Sequence, residues 1–141
     1  TEKIARAVEL GAKGGANYTE AAWAPGLAKA AGRFDVIVDS AGGEGFDALI
    51  DLAAPGGRIV FYGATRGNPS GLAMRKVFWR QLSLLGSTMG SPSDWWAMTN
   101  YVAQYRIPPV VSGVFPLGRA ADAFDQMERG GQFGKIVVQV S

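Results

Sequence analysis

Three short apolar runs, each closed by glycine or a small hydroxylic residue, constrain this chain more than any other feature. They are Phe34-Asp35-Val36-Ile37-Val38-Asp39 before Ser40-Ala41-Gly42, Arg58-Ile59-Val60-Phe61-Tyr62 before Gly63, and Leu82-Ser83-Leu84-Leu85-Gly86 before Ser87. Runs this short and this apolar are expected for strands buried on both faces. Helical periodicity separates them. Phe46, Leu49, Ile50 and Ala53 recur at i, i+3, i+4 and i+7 and are stopped by Pro55-Gly56-Gly57, and a short helix over Met74 to Trp79 follows the polar loop Arg66 to Gly71.

The flanks continue the alternation. Glu2 to Leu10 reads as a helix with Ile4, Ala7 and Val8 on one face, stopped by Gly11; a short strand is expected around Ala16 to Thr19, and a weak helix with a broken start over Ala21 to Ala31. Downstream, Ser91-Pro92-Ser93-Asp94 joins an N-cap serine, a proline at the first helical position and an acid three residues after the cap. The helix it opens carries Trp95, Met98, Val102 and Tyr105 and is expected to break at Pro108-Pro109. An extended segment from Val110 to Leu117 follows, then a helix carrying Ala120, Phe124 and Met127, and a terminal strand from Ile136 to Val140.

Strands alternating with helices across short turns predict an α/β fold, a partial Rossmann-like, doubly wound parallel sheet with right-handed crossovers and helices on both faces. The pattern changes at Pro108-Pro109. Residues 1–108 therefore read as one unit, and residues 109–141 as a helix-strand segment that packs elsewhere.

Composition narrows the chemistry. The 141 residues contain no His and no Cys, which excludes disulfides, thiolate metal sites, cysteine nucleophiles and the commonest acid/base group, so no metal is expected in this segment. The formal charge is only +2, with acids and bases interspersed, so neither nucleic acid nor a membrane surface is indicated as a partner. No apolar run is long enough to span a membrane and no signal-like region is seen, which makes the cytoplasm the expected location. The chain opens on Thr1 inside a helical pattern, as expected of a piece of something larger.

In sheets of this kind ligands bind beyond the carboxyl ends of the strands. There the chain places Asp39-Ser40-Ala41-Gly42-Gly43, Gly63-Ala64-Thr65 and Gly86-Ser87-Thr88, a row of small residues beside which a flat ligand could reach the backbone. Each glycine also reads as an ordinary strand-to-helix turn. Asp39 could bind a ribose or act in catalysis, but accepting a turn amide is the commoner role for a strand-end aspartate. No G-x-G-x-x-G follows a strand, so a pyrophosphate cradle would lie upstream of Thr1. Trp23, Trp79, Trp95 and Trp96 show no platform spacing, and core or interface packing is expected for them.

Taken in order, Glu2-Lys3 before Leu10-Gly11-Ala12, Asn17-Tyr18, Phe34 to Gly42, Pro55-Gly56-Gly57-Arg58-Ile59-Val60, Leu85-Gly86-Ser87 and Gly134-Lys135-Ile136-Val137-Val138 resemble the C-terminal part of a medium-chain dehydrogenase/reductase. This is the superfamily of zinc-type alcohol dehydrogenases and quinone oxidoreductases. The resemblance implies the part of a Rossmann domain that follows its second strand, then a return to a catalytic domain. It implies a nicotinamide dinucleotide as ligand, NADP(H) ahead of NAD(H), and an NAD(P)H-dependent oxidoreductase that is inactive as this segment alone. Ser40, Ala41, Gly42, Gly63 and Ser87 match positions lining the nicotinamide and its ribose. Lys3 and Tyr18 match a pair flanking the adenosine 2′-phosphate, and Arg129 and Lys135 match a basic region that can reach the cofactor. Plainer readings stand beside these: Lys3 as a solvated first-turn lysine, Tyr18 as a strand-end anchor, and Arg129 as a cation favourable to its helix dipole.

The resemblance further implies a homodimer through the Leu82 to Gly86 strand, and an open edge on the Val36 strand that invites pairing. Two other readings compete. Phe34 to Asp39 followed by Leu52 to Arg58 is also similar to the middle of S-adenosylmethionine-dependent methyltransferases, and the chain could be a non-catalytic dimerisation module.

Overall fold

The computed structural model describes residues 1–140 and divides into two compact units, Thr1–Met89 and Gly90–Ser141. The first contains α1 (Glu2–Glu9), α2 (Trp23–Ala31), β1 (Phe34–Asp39), α3 (Phe46–Leu52), β2 (Ala53–Phe61), α4 (Met74–Trp79) and β3 (Ser83–Gly86). The three strands form one parallel sheet in the order β1-β2-β3, with Ile37 opposite Ile59 and Ile59 opposite Leu84. Parallel neighbours need crossovers, and α3 and α4 supply them.

One face of this sheet carries the core. Ile37, Ile59 and Leu84 project onto Phe46, Leu49 and Ile50 of α3 and Val77 of α4, and Ile50 and Ile59 are fully buried. The two helices are tied together as well as packed. Arg80 at the end of α4 donates from Nη1 to the carbonyl of Ile50 at 3.0 Å, satisfying an orphan acceptor in the last turn of α3, and Lys76 and Arg80 both pair with Asp51.

The opposite face is bare. Val38, Val60 and Leu85 lie side by side across the three strands, with Val38 65% and Leu85 45% exposed, and Val36 is 53% exposed on the same face of β1. The expectation of strands buried on both faces, with helices on both, is therefore corrected. Both crossover helices pack on one side, while α2 packs on α3 rather than on the free face.

Three further expectations change. Ala16 to Thr19 form no strand: Asn17 Oδ1 accepts from the amide and the hydroxyl of Thr19, and the Asn17 carbonyl accepts from the amide of Glu20, so a local turn competes successfully with an extended run. Pro55-Gly56-Gly57 does not lie between helix and strand but inside β2, as a bulge: Phe34 pairs with Ala53 and Val36 already with Arg58. The tryptophans are not core residues. Trp79, Trp95 and Trp96 are 82%, 59% and 65% exposed, because the small aliphatic core is already filled by α3 and the strands, and Trp23 is half-buried.

The second unit contains α5 (Pro92–Tyr105), β4 (Val111–Pro116), a short 3-10 turn (Leu117–Arg119), α6 (Ala120–Glu128) and β5 (Lys135–Gln139). β4 and β5 pair in parallel, with α6 as the crossover between them. α5 ends at Tyr105, before the prolines, with Arg106 in the left-handed region at φ 50°.

The N-terminus of α5 is the capping box its sequence predicts. Ser91 Oγ accepts from the Asp94 amide, and the Asp94 carboxylate accepts from both the Ser91 hydroxyl and the Ser91 amide. Those bonds, the side-chain one first, hold the Asp94 pKa below the ordinary carboxylate value. A depressed folded-state pKa contributes stability that is fully present above the unfolded value and is lost as pH falls through the folded one. Ser91→Ala is therefore expected to fray α5 at neutral pH and to flatten the acid-side decline of its helical circular-dichroism signal. An acid limb identical to that of the unmodified chain would contradict the assignment.

Candidate functional site

The carboxyl ends of β1, β2 and β3 converge on one edge of the first unit, and the backbone there is closely knit. Asp39 ends β1, and its carboxylate accepts from the Ala41 amide at 3.2 Å and the Gly42 amide at 2.8 Å. The expected turn-forming role of Asp39 is thus the observed one. Tyr62 donates its amide to the Asp39 carbonyl and Ser87 donates its own to the Phe61 carbonyl, so Ser40, Ala41, Gly63 and Ser87 form a continuous row across the three strand ends.

The glycines at this edge also answer to close backbone packing. A Cβ on Gly42 would lie 2.8 Å from the Gly67 carbonyl oxygen, one on Gly43 would meet Arg66, and one on Gly63 would lie 2.5 Å from the Ser40 carbonyl oxygen. Gly42 and Gly43 also take positive φ values of 64° and 71°, which residues with a Cβ rarely adopt. Glycine is required here because the chain folds upon itself: residues 64–67 sit on the Gly42-Gly43 turn, with Arg66 donating to the Ala41 carbonyl and Gly43 donating to the Gly67 carbonyl, both at 2.8 Å. At Gly86, by contrast, an added Cβ meets only the Phe61 ring at 3.6 Å.

Seating that loop brings Arg66 to Tyr18. The guanidinium carbon lies 5.2 Å from the centre of the Tyr18 ring, in cation-π contact, and both side chains are exposed. Sequence reasoning selected Tyr18 and missed Arg66, which stands in a polar Gly/Pro loop like any surface arginine. Lys3 lies in the first turn of α1, while Arg129 and Lys135 belong to the second unit, at the C-cap of α6 and the start of β5. A separate cleft of about 910 Å³ is bordered by α1, α2 and Phe34 at the opposite, amino end of β1. Among the described residues no three His, Cys, Asp or Glu side chains come together, and no helix is long and apolar enough to cross a membrane.

Comparison with known proteins gives a consistent result. A family described as zinc-binding dehydrogenase matches residues 10–138. The zinc-type alcohol dehydrogenase-like protein YogA of Leptosphaeria maculans is 33% identical over 149 residues, covering 99% of this chain and 41% of that protein. Quinone oxidoreductase-like protein 2 of Rattus norvegicus is 30% identical over 152 residues, covering 99% and 43%. The chain thus spans about two fifths of the length of these curated relatives. Among solved structures it resembles an NAD-dependent alcohol dehydrogenase, with 39% identity, a TM-score of 0.88, and 99% of this chain against 41% of that one. It also resembles CurA from Vibrio vulnificus in complex with NADPH, with 27% identity, a TM-score of 0.76 and coverage of 100% and 47%. These likenesses give no support to the methyltransferase reading or to the non-catalytic one.

Proposed function

Because this chain belongs to the zinc-binding dehydrogenase family, we propose that it forms part of the nicotinamide-cofactor-binding region of an NAD(P)H-dependent oxidoreductase of the alcohol dehydrogenase or quinone reductase type. The observation that carries this reading is the row of Ser40, Ala41, Gly63 and Ser87 along the carboxyl edge of a three-stranded parallel sheet, the position at which α/β sheets take their ligands. The cofactor supplies the hydride chemistry when bound, and this chain's residues hold and orient it. Residues 1–108 serve the nucleotide-binding domain in this proposal. Residues 109–141, with Arg129 and Lys135, serve the catalytic domain, and the oxidoreductase is cytoplasmic and homodimeric.

Zinc does not fit these residues: the sequence offers neither His nor Cys, and the described acidic side chains do not converge. A dinucleotide does fit. The row leaves Ser and backbone groups at the strand ends, and exposed Lys3, Tyr18 and Arg66 carry hydrogen-bond donors suited to the acceptor oxygens of a phosphate. An NAD-selective site more often sets an acid against the ribose, and Asp39 is committed to its own turn. NADP(H) is therefore the proposed cofactor, with Lys3 and Tyr18 toward the 2′-phosphate.

The test is a binding measurement, since the 141-residue chain is expected to turn nothing over by itself. In thermal melts, a ligand that binds only the native state raises the transition. NADPH is expected to raise it more than NADH, S-adenosylmethionine not at all, and Lys3→Ala to narrow the gap between the two nicotinamides. Equal shifts with NADPH and NADH, unchanged by Lys3→Ala, would remove the cofactor preference, and a shift with S-adenosylmethionine alone would remove the family-based function.

A further inference from the structure

Arg66 is an exposed arginine whose guanidinium carbon lies 5.2 Å from the centre of the Tyr18 ring, and it is not a member of the ion pairs seen among the described residues, such as Arg6 with Glu9, Lys76 and Arg80 with Asp51, and Arg119 with Asp122. Two carboxylates of this unit have partners of their own. Asp39 accepts from two turn amides, and Glu20 accepts from Asn17 Nδ2 at 3.3 Å. Its backbone, in contrast, is held firmly. The Arg66 amide is bonded to Ala41, the Gly67 amide to Ala64, and two successive positive-φ glycines exist where the loop must lie on the β1 turn. Tyr18 lies within the turn that Asn17 closes onto Thr19 and Glu20. The fold therefore brings a planar cation and a phenol ring, far apart in sequence, to one exposed spot beside the carboxyl end of β1, with no ion-pair partner for the cation among the described residues.

We propose that Arg66 is a specificity-determining residue for the phosphorylated ribose of the cofactor, with Tyr18 as the ring beside which its guanidinium is held. This rests on the reading above that the chain takes an NADP-type dinucleotide, and it adds a residue and a geometry to that reading. A guanidinium carries its N-H groups as a planar fork matched to phosphate oxygens, and one already held in cation-π contact loses less side-chain freedom on binding than a free arginine. An exposed cation-π contact is weaker than charge-assisted hydrogen bonds to a phosphomonoester, so the phosphate draws on the arginine without dismantling the loop that carries it.

Calorimetric titration of the 141-residue chain with 2′,5′-ADP and with 5′-AMP tests this without any need for activity. The unmodified chain is expected to bind 2′,5′-ADP more tightly. Arg66→Gln should weaken 2′,5′-ADP about tenfold or more and leave 5′-AMP within about twofold, while Arg66→Lys should recover only part of the loss because an ammonium offers no fork. Tyr18→Leu, which removes the ring but keeps the bulk, should reproduce part of the Arg66→Gln defect. Arg66→Gln binding 2′,5′-ADP as well as the unmodified chain does would overturn the proposal while the dinucleotide reading stands. An equal loss for both nucleotides, with circular dichroism unchanged, would make Arg66 a loop anchor and also overturn it. Failure of the unmodified chain to bind either nucleotide would overturn both.

Discussion

Gly63→Ala is expected to destabilise the first unit on the order of 3 kcal/mol, as overpacking of a rigid contact does, a large share of the roughly 5–15 kcal/mol that holds a typical domain together. The added Cβ would meet the Ser40 carbonyl oxygen at 2.5 Å, and that oxygen belongs to backbone, not to the end of a flexible side chain. Relief requires the ends of β1 and β2 to part, which breaks the bond from the Tyr62 amide to the Asp39 carbonyl and shifts Ser40 and Ala41. Urea denaturation should show the lower midpoint, and cofactor binding should be lost with it. Gly86→Ala is the matched control, because its Cβ meets only the Phe61 ring at an ordinary 3.6 Å. Equal midpoints for the two variants would show that the strand ends do not approach as described.

Leu84→Pro is expected to convert the proposed homodimer into monomer. β3 pairs with β2 on one side only, so its other edge is open. Ser87 donates its amide toward β2, and the two-residue alternation of a strand turns the amides of Leu84 and Gly86 outward. A proline at 84 therefore removes a donor from the free edge and none from the β2 ladder. Leu84 is also partly buried against the core, so Leu84→Ala is the necessary companion: it removes the side chain but keeps the amide, and should remain dimeric. Light scattering at micromolar concentration reads the result. An unmodified chain of monomer mass, or an alanine variant as monomeric as the proline one, would dispose of pairing through this edge.

Legibility in the sequence followed the range of the interaction. Ser91-Pro92-Ser93-Asp94 announced its capping box and Asp39 its turn, because all the partners lie within three residues. The three strands and their order along the chain were readable from apolar runs and glycine stops. What failed depended on neighbours that the sequence does not name. The apolar residues of β1 alternate between a covered and a bare face, yet Val36 and Val38 are as β-branched as Ile37. Asn17-Tyr18 looks extended until Asn17 bonds its own turn. The glycines at 42 and 43 were readable as turn residues at a ligand edge, but not as the seat of residues 64–67, a contact no local pattern encodes. Arg66 went unnoticed for the same reason.

The bare side of the three-stranded sheet has a thermodynamic consequence. The heat-capacity increment of unfolding and the sensitivity to urea both scale with the surface newly exposed when a chain opens. Val36, Val38 and Leu85 are already largely wetted in the folded chain, so they add little to either quantity. The 141-residue chain is therefore poised to melt with a shallow denaturant slope and a flat stability curve, losing less to cooling than a sheet clothed on both sides.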